Sequence, residues 1–137
     1  MTDMKIVLDN NAIQNINVFQ RLTTAHVLDT IENDDTIYFV VRHNDYKFAV
    51  GRDGSIIKKC ENIFKKRVKV FEFSNDLKTF IKNLIPETND IIINDNEVKV
   101  VVKKYDKPKV IGKEKKNIII IKGFIKRFFG IEDVKII

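Results

Sequence analysis

The chain has a single cysteine, Cys60, among 137 residues. One thiol excludes an internal disulfide and a cysteine-based zinc site within one chain. Long hydrophobic runs are also missing. The longest aliphatic run is Ile118–Ile121, far below the roughly 20 apolar residues that a membrane-crossing helix needs. The first residues are acidic and polar where a signal peptide would carry an apolar stretch, so an intracellular, cytoplasmic protein without membrane contact is expected. No catalytic grouping stands out. His26 and His43 lie in separate segments, with no spacing that would put two ligands on one helix face. Asp34 and Asp35 have the setting of a hairpin turn, not of an acid/base pair. Cys60 falls on the apolar side of a helical pattern, where a packing thiol is expected and not a nucleophile. The expectation is a non-enzymatic protein with no metal and no cofactor.

What is present is a globular composition, 44% hydrophobic and 32% charged, that suits one ordinary domain or two very small ones. The net charge of +6 favours polyanionic partners. Its distribution says more. Residues 1–35 carry two basic residues against six acidic ones, whereas 36–88 carry 11 against 6 and 89–137 carry 12 against 7. The basic excess therefore sits in two later blocks of equal size.

The stretch Ala49-Val50-Gly51-Arg52-Asp53-Gly54-Ser55-Ile56-Ile57-Lys58-Lys59 organises the first block. Two glycines bracket a basic and an acidic residue, and a helix with a basic face follows. Glycine has no Cβ, so the chain can turn tightly there and a phosphate can lie against the main chain. A helix starting at Ser55 would add free N–H groups and the positive end of its dipole. An ordinary turn before a helix explains the same glycine spacing. The Gly-Lys-Ser/Thr ending of a nucleotide-binding loop is absent.

Around this loop the pattern predicts a strand at Lys5–Leu8 and a helix over Asn11–Leu22 capped by Asp9 or Asn10. Strands follow at Ala25–Ile31 and Thr36–Arg42, with a turn at Asn33-Asp34-Asp35 and a short helix from Asn44-Asp45. In the next helix Ile56, Ile57, Cys60, Ile63 and Phe64 form an apolar face, and Lys65-Lys66-Arg67 reads either as its solvated end, favourable against the helix dipole, or as a further contact for a polyanion. Val68–Phe73 is expected as a strand. A helix over Asp76–Leu84, capped by Ser74 or Asn75, ends before Pro86. Glu87-Thr88-Asn89 is the expected domain boundary, giving units 1–88 and 89–137.

The second block repeats the first. With an offset of 61 positions and no gap, Val40-Val41 falls on Val101-Val102, Asp45 on Asp106, Gly51 on Gly112 and Ile57 on Ile118. Val68-Lys69-Val70 matches Val134-Lys135-Ile136 after about five inserted residues. Such self-similarity marks a duplicated structural unit. The second copy is expected as strands at Ile91–Ile93 and Val98–Lys103, a loop at Gly112, a helix near Asn117–Phe129 and a strand at Asp133–Ile137. Ile118, Ile121, Ile125 and Phe128 are its expected core stripe.

Two tandem units of strand–strand–helix–Gly-x-x-Gly–helix–strand behind one N-terminal helix resemble type II KH domains, and more narrowly the small archaeal NusA-type transcription factors. The matching pieces are Phe19-x-x-Leu22-Thr23, Ile37–Val41 running into Phe48–Ser55, Val68–Ser74, Val110-Ile111-Gly112-Lys113 and Lys116-Asn117-Ile118. The resemblance implies an α+β fold of two KH-like units, each a three-stranded mixed sheet covered by helices on one face. It implies single-stranded RNA as ligand, RNA polymerase as partner, a monomer, and a role in transcription elongation or termination. Its alternatives are an RNA module of ribosome assembly or RNA processing, and a protein adaptor without RNA binding. KH domains clamp a nucleic-acid backbone with this loop. Carried over residue by residue, the RNA contacts would be Val50, Gly51, Arg52, Asp53, Gly54, Ser55, Ile57, Lys58 and Lys59 in the first unit. In the second they would be Ile111, Gly112, Lys113, Lys115, Lys116 and Asn117. One position departs: Lys115 stands where the family pattern has glycine. Lysine adopts unusual backbone angles poorly, so the second loop is expected either to hold phosphates by charge or only to pack and orient the first.

Overall fold

The computed structural model describes residues 10–137; the expected strand at Lys5–Leu8 and the candidate cap Asp9 lie outside them. The described residues form two compact units, 10–75 and 76–137. The division precedes a helix that the boundary at Glu87-Thr88-Asn89 leaves in the first unit, and Thr88 and Asn89 themselves belong to a strand. Among the described residues no helix is long and apolar enough to cross a membrane.

In the first unit α1 (Asn10–Thr23) seats Phe19, fully buried, on Phe39 with ring centroids 4.0 Å apart. Thr23 ends the helix by donating to the Phe19 carbonyl and accepting the Ala25 N–H. The sheet that follows has the order β1 (Val27–Glu32), β2 (Thr36–Val41), β3 (Arg67–Glu72). β1 and β2 form an antiparallel hairpin whose turn is built on Asn33, its side-chain oxygen accepting from the Asp35 and Thr36 N–H groups. β2 and β3 are parallel, which requires a crossover. That crossover is α2 (Tyr46–Val50), a tight turn at Arg52–Gly54, and α3 (Ser55–Phe64). Ile37, Phe39 and Val41 face the core with Phe19, Ala49 and Cys60, and Ile16, Leu22, Ile56, Ile57 and Phe64 pack around them.

The second unit adds α4 (Leu77–Leu84) and then repeats the plan: β4 (Thr88–Asn94), β5 (Glu97–Val102), α5 (Lys107–Ile111), a turn at Lys113–Lys115, α6 (Lys116–Phe129) and β6 (Asp133–Ile136). Its sheet again pairs antiparallel, then parallel. From β1 to the start of α3, each element begins 61 positions before its counterpart. β3 and β6 are 66 apart, so the inserted five residues fall at the end of the second crossover. Even the irregularities repeat. Both hairpins bulge next to an aspartate, Asp29 or Asp90, whose side chain accepts the N–H of the following residue.

Three expectations need correction. Ile63 is half exposed, because it sits at the margin of its helical stripe in the last turn of α3. The cap of α4 is Asp76, whose carboxylate accepts from the Thr79 N–H at 3.0 Å, not Ser74 or Asn75. The buried face of α6 is broader than a single stripe, since Ile120 and Phe124 join Ile118, Ile121 and Ile125. Phe128 and Phe129 both lie against Phe80, with centroids 5.5 and 5.7 Å away.

Candidate nucleic-acid interface

The first loop begins where α2 ends, with the Gly51 N–H donating to the Lys47 carbonyl at 3.0 Å. Gly51 takes φ 77°, ψ 176°, a region open essentially to glycine alone. Space imposes the same choice: a Cβ there would stand 2.3 Å from Ile56 Cγ1 and 2.9 Å from the Ile56 nitrogen. Gly54 differs. It is left-handed at φ 75°, ψ 15°, but a Cβ on it would meet nothing within 4 Å. The sequence pattern treats the two glycines alike; the fold does not.

The turn uses some of its own donors. The Gly54 N–H donates to the Gly51 carbonyl at 3.3 Å, and the Ser55 N–H to the Arg52 carbonyl. A free Ser55 N–H is therefore not part of the site. What remains is an exposed Arg52 and Asp53 at the tip, Ser55 beside them, and the start of α3 with Lys58 and Lys59 exposed. Helix starts are ordinarily capped by a side chain and favour acidic residues in the first turn. α3 has neither a side-chain cap nor an acidic first turn, and α6 has neither. Both helix starts are electrostatically suited to an anion.

The second loop has the same backbone. Gly112 stands at φ 82°, ψ 165°, and its N–H donates to the Pro108 carbonyl at 2.9 Å. A Cβ there would lie 2.7 Å from Asn117 Cβ, and Asn117 is the counterpart of Ile56. Glu114 (φ 56°, ψ 28°) follows Asp53 (φ 54°, ψ 31°). Lys115, at φ 61°, ψ 16°, takes the conformation of Gly54. Lysine thus takes the left-handed angles that glycine holds in the first loop, at an exposed position.

Each expected contact residue falls on one of these two loops or on the helix ends that flank it. Arg52, Asp53, Ser55, Lys58, Lys59, Lys113 and Lys115 are exposed, while Val50, Gly51, Gly54, Ile57, Ile111, Gly112, Lys116 and Asn117 are partly buried. Ile57 packs on the first core, and the Asn117 amide donates to the Val110 carbonyl at 2.9 Å, tying α6 to α5. Sequence placed Ile56 on an apolar helix face and not at the site, although its register with Asn117 puts it against Gly51 as Asn117 stands against Gly112. Lys66 is engaged with Glu32 and the Asn33 carbonyl, so it fastens the link between α3 and β3 to the hairpin. His43 pairs with Glu72 at 2.7 Å, and no group of three metal-binding side chains occurs among the described residues. Cys60 is buried; burial, opposed by Lys59, pushes its thiol up.

The chain is similar to known proteins. Over 140 residues the chain is 33% identical to the probable transcription termination protein NusA of Methanococcus vannielii, covering 98% of this chain and 81% of that one. The protein of the same description from Thermoplasma acidophilum is 30% identical over 138 residues, 96% of either chain. Among solved structures, the crystal structure of APE1850 superposes with a TM-score of 0.75 at 28% identity, covering 96% of this chain and all of that one. No protein-family model matches.

Proposed function

The chain belongs to the NusA-type family of archaeal transcription termination proteins, and on that premise we infer that it binds single-stranded RNA through its two Gly51- and Gly112-led loops while associated with RNA polymerase. The observation that carries the reading is the recurrence of one loop backbone in both units. Each copy opens on a glycine whose Cβ would crowd the following helix, and leads into a helix without a side-chain cap or an acidic first turn. An anion relieves that deficit, and a polynucleotide supplies anions at regular intervals.

The two loops divide the task. The first offers Arg52 and the glycine surface to a phosphate, with Val50 and Ile57 as apolar wall. The second adds Lys113, Lys115 and Lys116 around Glu114 and relies more on charge. A titration with a single-stranded RNA dodecamer at about 50 and 200 mM salt tests this. Neutralising three or four phosphates predicts a loss of about twenty- to fifty-fold across that range. Absence of binding, with copurification of polymerase intact, would instead make the protein an adaptor.

A further inference from the structure

The two units differ on the helix that leads into each loop. In α2 the three outward positions are Tyr46, Lys47 and Phe48, all exposed, between the buried Asp45 and Ala49. Phe48 keeps 49% of its surface in solvent and Tyr46 40%. The Lys47 ammonium lies 5.4 Å from the centroid of the Phe48 ring. The corresponding positions of α5 are Lys107, Pro108 and Lys109, with Lys109 paired to Glu87 at 3.1 Å. Tyr105 is exposed in the second unit, but it stands in the turn before α5, one helical turn farther from its loop. The same scaffold thus presents aromatic faces beside one loop and cations beside the other.

A half-exposed phenylalanine contributes little to a core and leaves apolar surface in water. Its position gives it another use. The Gly51 N–H closes on the Lys47 carbonyl, so Phe48 is three residues, about 4.5 Å of helix rise, from the glycine against which a phosphate would lie. The surrounding charge favours a polyanion, since residues 36–88 hold 11 basic residues against 6 acidic ones. A nucleobase attached to a phosphate held at Gly51 presents a flat apolar face at that range. Base–aromatic stacking is tolerant of sequence and is strengthened by a neighbouring cation.

We propose that Phe48, with Tyr46 beside it and Lys47 over its ring, is a base-stacking platform of the first unit, whereas the second unit holds the RNA through phosphates alone. This rests on the RNA-binding reading of the loops. The test compares two dodecamers with equal phosphate number, one of ordinary RNA and one abasic, against the full chain and its Phe48→Ala, Phe48→Leu and Phe48→Trp variants. Wild type is expected to prefer the base-bearing dodecamer. Phe48→Ala and Phe48→Leu should each lose about fivefold or more on that dodecamer, with abasic affinity and melting temperature unchanged. Phe48→Trp should restore the preference.

Equal losses on both dodecamers would overturn the platform and make Phe48 a structural residue. Unchanged RNA binding in Phe48→Ala, with polymerase copurification lost, would assign the patch to a protein and overturn it as well. Failure of wild type to bind either dodecamer would remove the RNA reading together with the platform. A wild-type base preference untouched by Phe48→Ala would remove the platform alone.

Discussion

Gly51 and Gly54 are two different kinds of glycine. The first is fixed by both its angles and the 2.3 Å approach to Ile56, the second by its left-handed angles only. Gly51→Ala is therefore expected to destabilise the protein by about 2–3 kcal/mol, combining strain and a forced shift of α3. Gly54→Ala should cost about 1 kcal/mol. Chemical denaturation of both variants checks the ranking, and equal costs would contradict it. Lys115 supplies the converse test. Lys115→Gly removes a left-handed side chain and should raise stability by up to about 1 kcal/mol. Because the backbone already matches Gly54, the change removes only a cation, so RNA affinity should fall several-fold at low salt. Tighter RNA binding would mean that the lysine side chain blocks the loop. The glycine spacing was legible in the sequence; the tolerance at 115 was not, since it depends on empty space around a Cβ position.

Elements whose two copies share a register were legible because each copy supported the other. Both β hairpins, both crossover helices and the five-residue insertion follow from the 61-position offset. Caps and helix margins were less legible. Ser74, Asn75 and Asp76 are all good capping residues by type, and the selection falls to Asp76 because its carboxylate reaches both the N–H and the hydroxyl of Thr79. Those hydrogen bonds, the hydroxyl's foremost, hold the Asp76 carboxyl below the usual carboxylate range. A depressed folded-state value stabilises the helix above the unfolded-state value, and the effect is lost as pH falls through the folded one. Asp76→Ala should thus speed amide hydrogen exchange in α4 at neutral pH. The difference from wild type should shrink once acid has protonated Asp76; a difference independent of pH would exclude the carboxylate as its source. Ile63 shows the other limit, because helical period marks a stripe but not where its margin leaves the core.

At the scale of the whole molecule, the family and the tandem KH-like fold agree with the duplicated sequence, and the function rests on what the loops hold. Net charge alone can draw RNA to a protein of +6, so the decisive comparison keeps net charge constant. Arg52 is exposed at the tip of the first loop, beside Asp53; Arg21 is exposed in the last turn of α1. Replacing either by aspartate changes the total charge equally. Only Arg52→Asp sets two carboxylates beside the Gly51 surface and removes the cation that offsets Asp53. Like charges a few ångströms apart near a protein surface repel by up to about 4 kcal/mol before screening by salt. The measurement is the affinity of both variants for the same single-stranded RNA dodecamer at about 50 mM salt. Arg52→Asp is predicted to bind at least about tenfold more weakly, or 1.4 kcal/mol, and Arg21→Asp to stay within about twofold of wild type. Equal losses in the two variants would contradict the account, because binding would then follow total charge and the Gly51–Gly54 loop would be only a turn.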